Sequence, residues 1–192
     1  MSQFLDTAIE AAGIGGRVLL DGLTDQERQQ IDRKRQFDFV TEVDHRSEKA
    51  ILDFIKKRHP DHQILAEESG GHHERQGYLW VVDPLDGTKN FIHKFPMFAV
   101  SVALLHDGIV TVGAVLDPIR NELFYAEKGK GAFLEGKPLK VSETHDFSSC
   151  LLATGFPFRA KHLTDSYFEA FITLFHQVAD FRRAGAAALD RA

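Results

Sequence analysis

Two short acidic motifs hold most of the chemically useful groups in this sequence: Glu67-Glu68-Ser69-Gly70 and Asp83-Pro84-Leu85-Asp86-Gly87-Thr88. Each begins where an apolar run ends, QILAE at 63–67 and LWVVD at 79–83. Strand ends are where α/β proteins gather binding groups. Carboxylates converging there repel one another by several kcal/mol at low dielectric unless a cation sits between them. Their oxygens are hard donors, which suits Mg²⁺ better than zinc, and no Cys/His set has zinc spacing. Pro84 stiffens the strand exit so that Asp83 and Asp86 can face one point. Gly87 and Thr88 open the segment TKNFIH, read as a helix start whose free N–H groups would receive a phosphate. Carboxylates for a metal beside a phosphate cradle point to metal-assisted phosphoryl transfer to water. One Asp-x-x-Asp-Gly alone reads equally well as an Asx-favoured turn. Two such motifs at strand ends, with Asp44 upstream, do not.

The elements that must position these groups follow from periodicity. Phe4, Leu5, Ala8, Ile9, Ala12, Val18 and Leu19 recur at helical spacing, predicting a helix over 3–21. Residues 24–36 are almost wholly polar and read as a surface loop or a solvated helix end. Asp44 stands near the start of a second helix, with a stripe of Ala50, Ile51, Phe54 and Ile55, that ends before Pro60. Short apolar runs then predict strands at 63–67 and 79–83, and an antiparallel meander from Met97 to Val141 with turns at 106–108 and 117–122. A second cycle holds a strand at 150–155 and a helix from Thr164 to about Ala179. A short strand, DFRRA, then leads into GAAALDRA, read as a helix just beginning. The helix stripe of Tyr167, Phe168, Phe171, Ile172, Phe175 and Val178 is expected in the core.

Composition sets the outer bounds. The 192 residues include 16 Phe, enough for a sizeable core and too many for disorder. Net charge is −5, the wrong sign for a protein built to grip nucleic acid. One cysteine, Cys150, excludes an internal disulfide and reads as a buried strand residue. The N-terminal residues lack a signal-peptide pattern and no apolar run reaches membrane-spanning length, so a cytoplasmic, soluble protein is expected. His72 and His73 read as a solvated loop, and Arg33-Lys34-Arg35 and Arg182-Arg183 as solvated faces or subunit contacts.

The motifs also resemble a known family. WVVDPLDGTKNF is similar to the signature of the inositol monophosphatases, the lithium-sensitive, Mg²⁺-dependent sugar-phosphate phosphatases. DFVTEVDHRSE (38–48), LAEESG (65–70), DPIRNELFYAEKGKGAFLEG (117–136) and LLATGFPF (151–158) fit it in the family's order, and the likeness runs to its bacterial extragenic suppressor branch. The resemblance implies an α/β (α+β) layered sandwich of alternating helix and sheet layers. Residues 1–145 would form the N-terminal half with the metal and phosphate site, and 146–192 the start of an incomplete second half. It implies Glu67, Asp83, Asp86 and the Leu85 carbonyl as metal ligands, and Asp44, Glu67 and Thr88 as the groups that activate water. Glu67, Asp86, Gly87 and Thr88 would meet the phosphate; Gly185, Ala186, Ala187 and Arg182 would lie toward the sugar. Ala186 stands where members often carry Ser or Thr. A further Trp-Asp motif, supplying another metal ligand, has no counterpart here, since Trp80 is the only tryptophan. The chain is therefore expected to be a fragment or truncated form, with a homodimer implied by the resemblance alone.

The expected function is Mg²⁺-dependent hydrolysis of a phosphate monoester on a polyol or sugar, myo-inositol 1-phosphate first. Rival substrates are fructose 1,6-bisphosphate, histidinol phosphate and 3′-phosphoadenosine nucleotides. A rival class is a non-catalytic partner protein in transcription or RNA processing, for which the Arg182–Arg183 region would matter and the carboxylates would not.

Overall fold

Helical spacing and close-approach glycines build the first layer. In the computed structural model, α1 (Gln3–Thr24) and α2 (Glu42–Arg58) pack side by side. A Cβ on Gly22 would come within 2.7 Å of the Val43 side chain, and one on Gly15 within 2.7 Å of Ile51. Only glycine lets the two helices approach so closely. The structure describes residues 2–24, 31–35, 38–70, 76–158 and 160–192, with the backbone alone at 31–35 and 38–40. His72 and His73 fall outside these residues, as does most of the polar stretch expected to be loop. Its end, however, forms β1 (Ile31–Arg35), paired antiparallel with β2 (Asp38–Thr41).

Among the described residues the central sheet has seven strands: β3 (Gln63–Ala66), β4 (Tyr78–Asp86), β5 (Ala99–His106), β6 (Ile109–Asp117), β7 (Glu122–Glu127), β8 (Gly131–Leu134) and β9 (Lys137–Pro138). They lie in chain order; only β3 and β4 are parallel. The expected meander is present. It ends at Pro138 and not Val141, which is exposed. Trp80, Val82, Val100, Val102, Leu104, Val112 and Ala114 alternate onto the face that meets Leu5, Ala8, Ala12, Leu19, Ile51 and Ile55 of the helices. Removing this apolar surface from water is the main stabilising term. The architecture is mixed α/β, helices layered on a sheet, as expected. No helix among the described residues is long and apolar enough to cross a membrane.

The second cycle departs from expectation. Its two-stranded parallel sheet, β10 (Leu151–Ala153) with β11 (Asp180–Arg182), is small. Helix α4 (Thr164–Phe175) therefore has little to pack on, and its stripe is not core. Ile172 and Phe175 are 55% and 59% exposed, while Phe171 rests on Phe181 with ring centres 4.6 Å apart. Cys150 is half-buried at the end of a 3₁₀ turn (Phe147–Ser149), not in the core. The GAAALDRA segment makes one turn, Asp190 N–H donating to the Ala186 carbonyl at 3.1 Å, instead of opening a helix.

Candidate active site

Pro84 shapes the acidic end of β4. Asp83 pairs with Ser101 and Asp86 with Ala99, so three steps on β4 match two on β5. In a regular strand, residues three apart face opposite sides; this bulge returns Asp83 and Asp86 to the same side. Proline has no N–H to pair, so the irregularity falls on it. The buried Ser47 hydroxyl holds the Pro84 carbonyl at 3.1 Å, and Leu85 N–H donates to Asp83 Oδ1 at 3.1 Å. Gly87 follows at φ +94°, and a Cβ there would meet the Met97 carbonyl at 3.0 Å. Helix α3 (Thr88–Ile92) is only five residues long, so local amides and not a sizeable helix dipole face the turn.

Glu67 leaves β3 beside Asp83, its N–H bonded to the Val82 carbonyl at 3.2 Å. The turn that carries it is fixed by Glu48 on α2, whose carboxylate accepts the N–H groups of Glu68 (2.8 Å) and Ser69 (3.0 Å). Glu48 is buried and was not foreseen; its place one helical turn after Asp44 puts both on the same face of α2. Thr41 caps α2, and Asp44 closes the capping box by accepting the Thr41 N–H and hydroxyl. The other Asp44 oxygen stands 3.3 Å from the Thr88 hydroxyl, which also lies 3.2 Å from the Leu85 carbonyl. Asp44 is buried, and burial raises its pKa although the Thr41 bonds oppose the rise.

An open cavity of about 420 Å³ exposes the acidic groups. Glu67, Asp83, Leu85, Asp86, Gly87, Thr88 and Gly185 line it, while Asp44 lies behind Thr88. Burial, then the charges of Glu67 and Asp86, pushes the Asp83 carboxyl up to about 8. Burial also raises Asp86, whose Oδ2 accepts the Ala188 N–H at 2.7 Å. The 185–188 loop is thus tied to the acidic end, with Ala186 buried and the Ala187 N–H also directed at Asp86. Arg182 lies outside the cavity, donating to the Asp180 carboxylate and the Phe181 carbonyl; its neighbour Arg183 lines the wall. Asn90, also unforeseen, ties the wall together by donating to the carbonyls of Met97 (2.6 Å) and Ala184 (2.9 Å).

Among the described residues no three acidic, histidine or cysteine side chains already meet as a metal cage, Asp86 being engaged with the 185–188 loop. The donor chemistry nevertheless fits a hard divalent ion: three carboxylates and a carbonyl line one cavity, and the Asp83 carboxyl is made hard to ionise by burial and then by the charges of Glu67 and Asp86.

The model for the family described as "Inositol monophosphatase family" matches residues 1–192. The chain belongs to the inositol monophosphatase family. It is 45% identical to the Nus factor SuhB of Salmonella typhimurium over 193 residues, covering all of this chain and 72% of that protein. Among solved structures it is similar to the extragenic suppressor protein suhB of Bartonella henselae, with TM-score 0.93 and 35% identity over 98% of this chain and 73% of that one. The inositol monophosphatase of Anabaena matches with TM-score 0.85 and 41% identity, over 97% and 68% of the two chains. The phosphatase-type fold of an inositol monophosphatase is therefore the frame in which the acidic cavity lies.

Proposed function

We propose that this chain hydrolyses a phosphate monoester of a polyol or sugar, with myo-inositol 1-phosphate the first substrate to test. One observation carries the reading: the Thr88 hydroxyl and the buried Asp44, 3.3 Å apart, stand beside the Glu67, Asp83 and Asp86 carboxylates at a single cavity. Glu67, Asp83, Asp86 and the Leu85 carbonyl would hold Mg²⁺, which when bound supplies charge neutralisation and acidifies water. Thr88 and Asp44 orient that water as a hydrogen-bonded pair, with Glu67 alongside to accept a proton. The Gly87–Thr88 turn with Asp86 seats the phosphate, and Gly185 borders the sugar side, with Ala186 buried behind it and the Ala187 N–H turned to Asp86. The protein acts in the cytoplasm as a homodimer and is inhibited by lithium.

The test is phosphate release from myo-inositol 1-phosphate with and without Mg²⁺, beside Asp86→Asn. The substitution keeps the side-chain volume and removes a ligand charge, and we expect release to drop at least about 100-fold. Unchanged release overturns the assignment.

A second reading is supported by the name Nus factor SuhB that relatives carry: a transcription-machinery partner. On that reading Asp86→Asn leaves partner binding intact, and replacing Arg182 and Arg183 together with Ala weakens it. No loss with the double variant counts against this reading.

A further inference from the structure

One face of α2 holds both acidic motifs from behind. Asp44, Ser47 and Glu48 stand at i, i+3 and i+4, so they share that face, and all three are buried. Asp44 meets Thr88, and the other two each hold a different motif. The Ser47 hydroxyl donates to the Pro84 carbonyl at 3.1 Å, within the bulge between Asp83 and Asp86. Glu48 Oε2 accepts the Glu68 N–H at 2.8 Å, and its Oε1 accepts the Ser69 N–H at 3.0 Å, just beyond Glu67. Adjacent positions on one helix therefore set where Glu67 stands relative to Asp83. The Glu67 and Asp83 side chains meet there and share a hydrogen bond.

Each of these bonds has the residue type it needs. Two consecutive N–H groups directed at one side chain require two oxygen acceptors, and a carboxylate supplies both. An amide in its place would turn an N–H₂ group against one of the donors. Gly15 of α1 leaves room for Ser47, since a Cβ there would stand 3.0 Å from the serine oxygen. Glu67 is anchored on its other side as well. Its own N–H is bonded to the Val82 carbonyl at 3.2 Å, and a pair of backbone bonds between Ala66 and Gly70 closes the turn. Ligand distances in metal sites hold to within about 0.2 Å, so small movements of either motif matter. Mg²⁺ is the stricter ion, requiring near-octahedral geometry, whereas Ca²⁺ accepts longer bonds and varied geometry.

We propose that Ser47 and Glu48 are positioning residues that fix the spacing of the two acidic motifs and thereby set the preference of the site for Mg²⁺ over Ca²⁺. The inference rests on the reading above, in which Glu67, Asp83 and Asp86 hold a divalent ion. Both residues act through the backbone of the motif they hold, not by touching ion or substrate.

Mn²⁺ takes the same oxygen donors, and its binding to the whole chain can be followed by electron paramagnetic resonance. Displacement of Mn²⁺ by Mg²⁺ or by Ca²⁺ then gives the affinity for each. Glu48→Gln should weaken Mg²⁺ binding at least about tenfold, the scale for a residue that orients metal ligands, and Ca²⁺ binding by less. Ser47→Ala should shift the ratio in the same direction by a smaller factor. Ile55→Val is a buried change two turns further along α2; it should lower the melting temperature and leave the ratio unchanged. Asp86→Asn should reduce Mn²⁺ binding, which ties the signal to the cavity. Circular dichroism of each variant separates lost positioning from lost fold, and the serine variant reports even where the glutamine variant is unfolded. A ratio unmoved by Glu48→Gln and Ser47→Ala, or moved as far by Ile55→Val, overturns the proposal and leaves the phosphatase reading standing. If the ratio shifts as expected but the wild type releases no phosphate from myo-inositol 1-phosphate, the phosphatase reading falls and the positioning role stands. A wild type that binds no Mn²⁺ sinks both.

Discussion

The two ends of β4 bury titratable groups in opposite ways. At its start, the rings of His106, Tyr78, His62 and His59 stack in succession, their centres 4.2, 4.5 and 4.7 Å apart and their planes within 18° of parallel. Trp80 Nε1–H donates to His62 Nδ1 at 3.1 Å, which fixes a neutral imidazole with its proton on Nε2. Thr7 gives its hydroxyl proton to the Gln3 carbonyl at 2.9 Å, so His59 Nε2–H is the donor in the 3.0 Å bond between them. At the far end of the strand, Asp83 is buried with Glu67 and Asp86 as neighbours, an acid crowded by acids. The histidine end is complete without a ligand and belongs to the architecture. The carboxylate end instead gathers three acidic groups at one cavity and holds at least one of them hard to ionise, a cost that a cation from outside would relieve, and that is the physical mark of a binding site.

The largest effect that could break this comparison lies at Asp83. Its pKa in the folded chain, about 8, is far above the unfolded value, so the carboxyl is neutral in the fold at low pH and must ionise there as pH rises. A raised pKa means stability present at low pH and lost as pH climbs from about 4 through 8. In EDTA, the wild type should therefore lose stability over that range. Asp83→Asn should remove the loss, leaving the variant more stable than wild type at pH 8 by about 2 kcal/mol or more. Mg²⁺ should raise the melting temperature of the wild type and do little for the variant. Thermal unfolding at pH 5 and pH 8, with chelator and with Mg²⁺, reads all three. A flat profile in EDTA would show that burial and the neighbouring carboxylates do not keep Asp83 protonated as its placement requires.

The same contrast explains what was legible in the sequence. Alternation and helical spacing are local signals, and they located α1, α2, the strands on either side of the acidic loop and the meander. The DPLDG motif was readable because a proline-centred bulge is written in consecutive residues. Glu48 and Asn90 were missed because each acts across the fold, Glu48 on amides 20 and 21 residues away and Asn90 on a carbonyl 94 residues away. The resemblance places Arg182 toward the sugar, whereas the fold of β11 shows that its neighbour Arg183 lines the cavity. The α4 stripe misled for a related reason. Apolar spacing shows that a face prefers burial, but burial needs a partner surface, and a sheet of two three-residue strands offers little.

At the histidine end the expected effect is smaller and of opposite sign in pH. Burial lowers the pKa of both His59 and His62, with the Arg58 charge adding to the first and Asp61 opposing the shift in the second. A depressed histidine pKa means stability present above about pH 6.5 and lost as pH falls, because the fold resists protonation. His62→Phe keeps the ring stack and removes both the titration and the acceptor of the Trp80 N–H. It should cost about 1 kcal/mol at pH 7.5 and flatten the acid limb of the stability curve. Trp80 is the only tryptophan, so its fluorescence reports this bond directly. Wild-type emission should change between pH 7.5 and 5 in step with His62, and the variant's should not. An unaltered acid limb in His62→Phe would remove the histidine from the argument.

The smallest effect belongs to His106, and it decides how far the stack acts as one unit. Its ring lies on Tyr78, but its side chain is 45% exposed and its Nε2 pairs with Asp107 at 3.5 Å in solvent. An exposed polar contact and one solvated ring face contribute little, so His106→Ala should change stability by no more than about 0.5 kcal/mol and leave the acid limb in place. Chemical denaturation at pH 7.5 and pH 5.5 measures both. A loss as large as that of His62→Phe would mean that stacking couples the outer ring to the two inner imidazoles. The structural end of β4 would then depend on the continuity of four rings instead of two satisfied imidazoles. A loss within the expected limit confines the acid-sensitive part of the stack to His59 and His62, whose defined hydrogen bonds are made inside the protein.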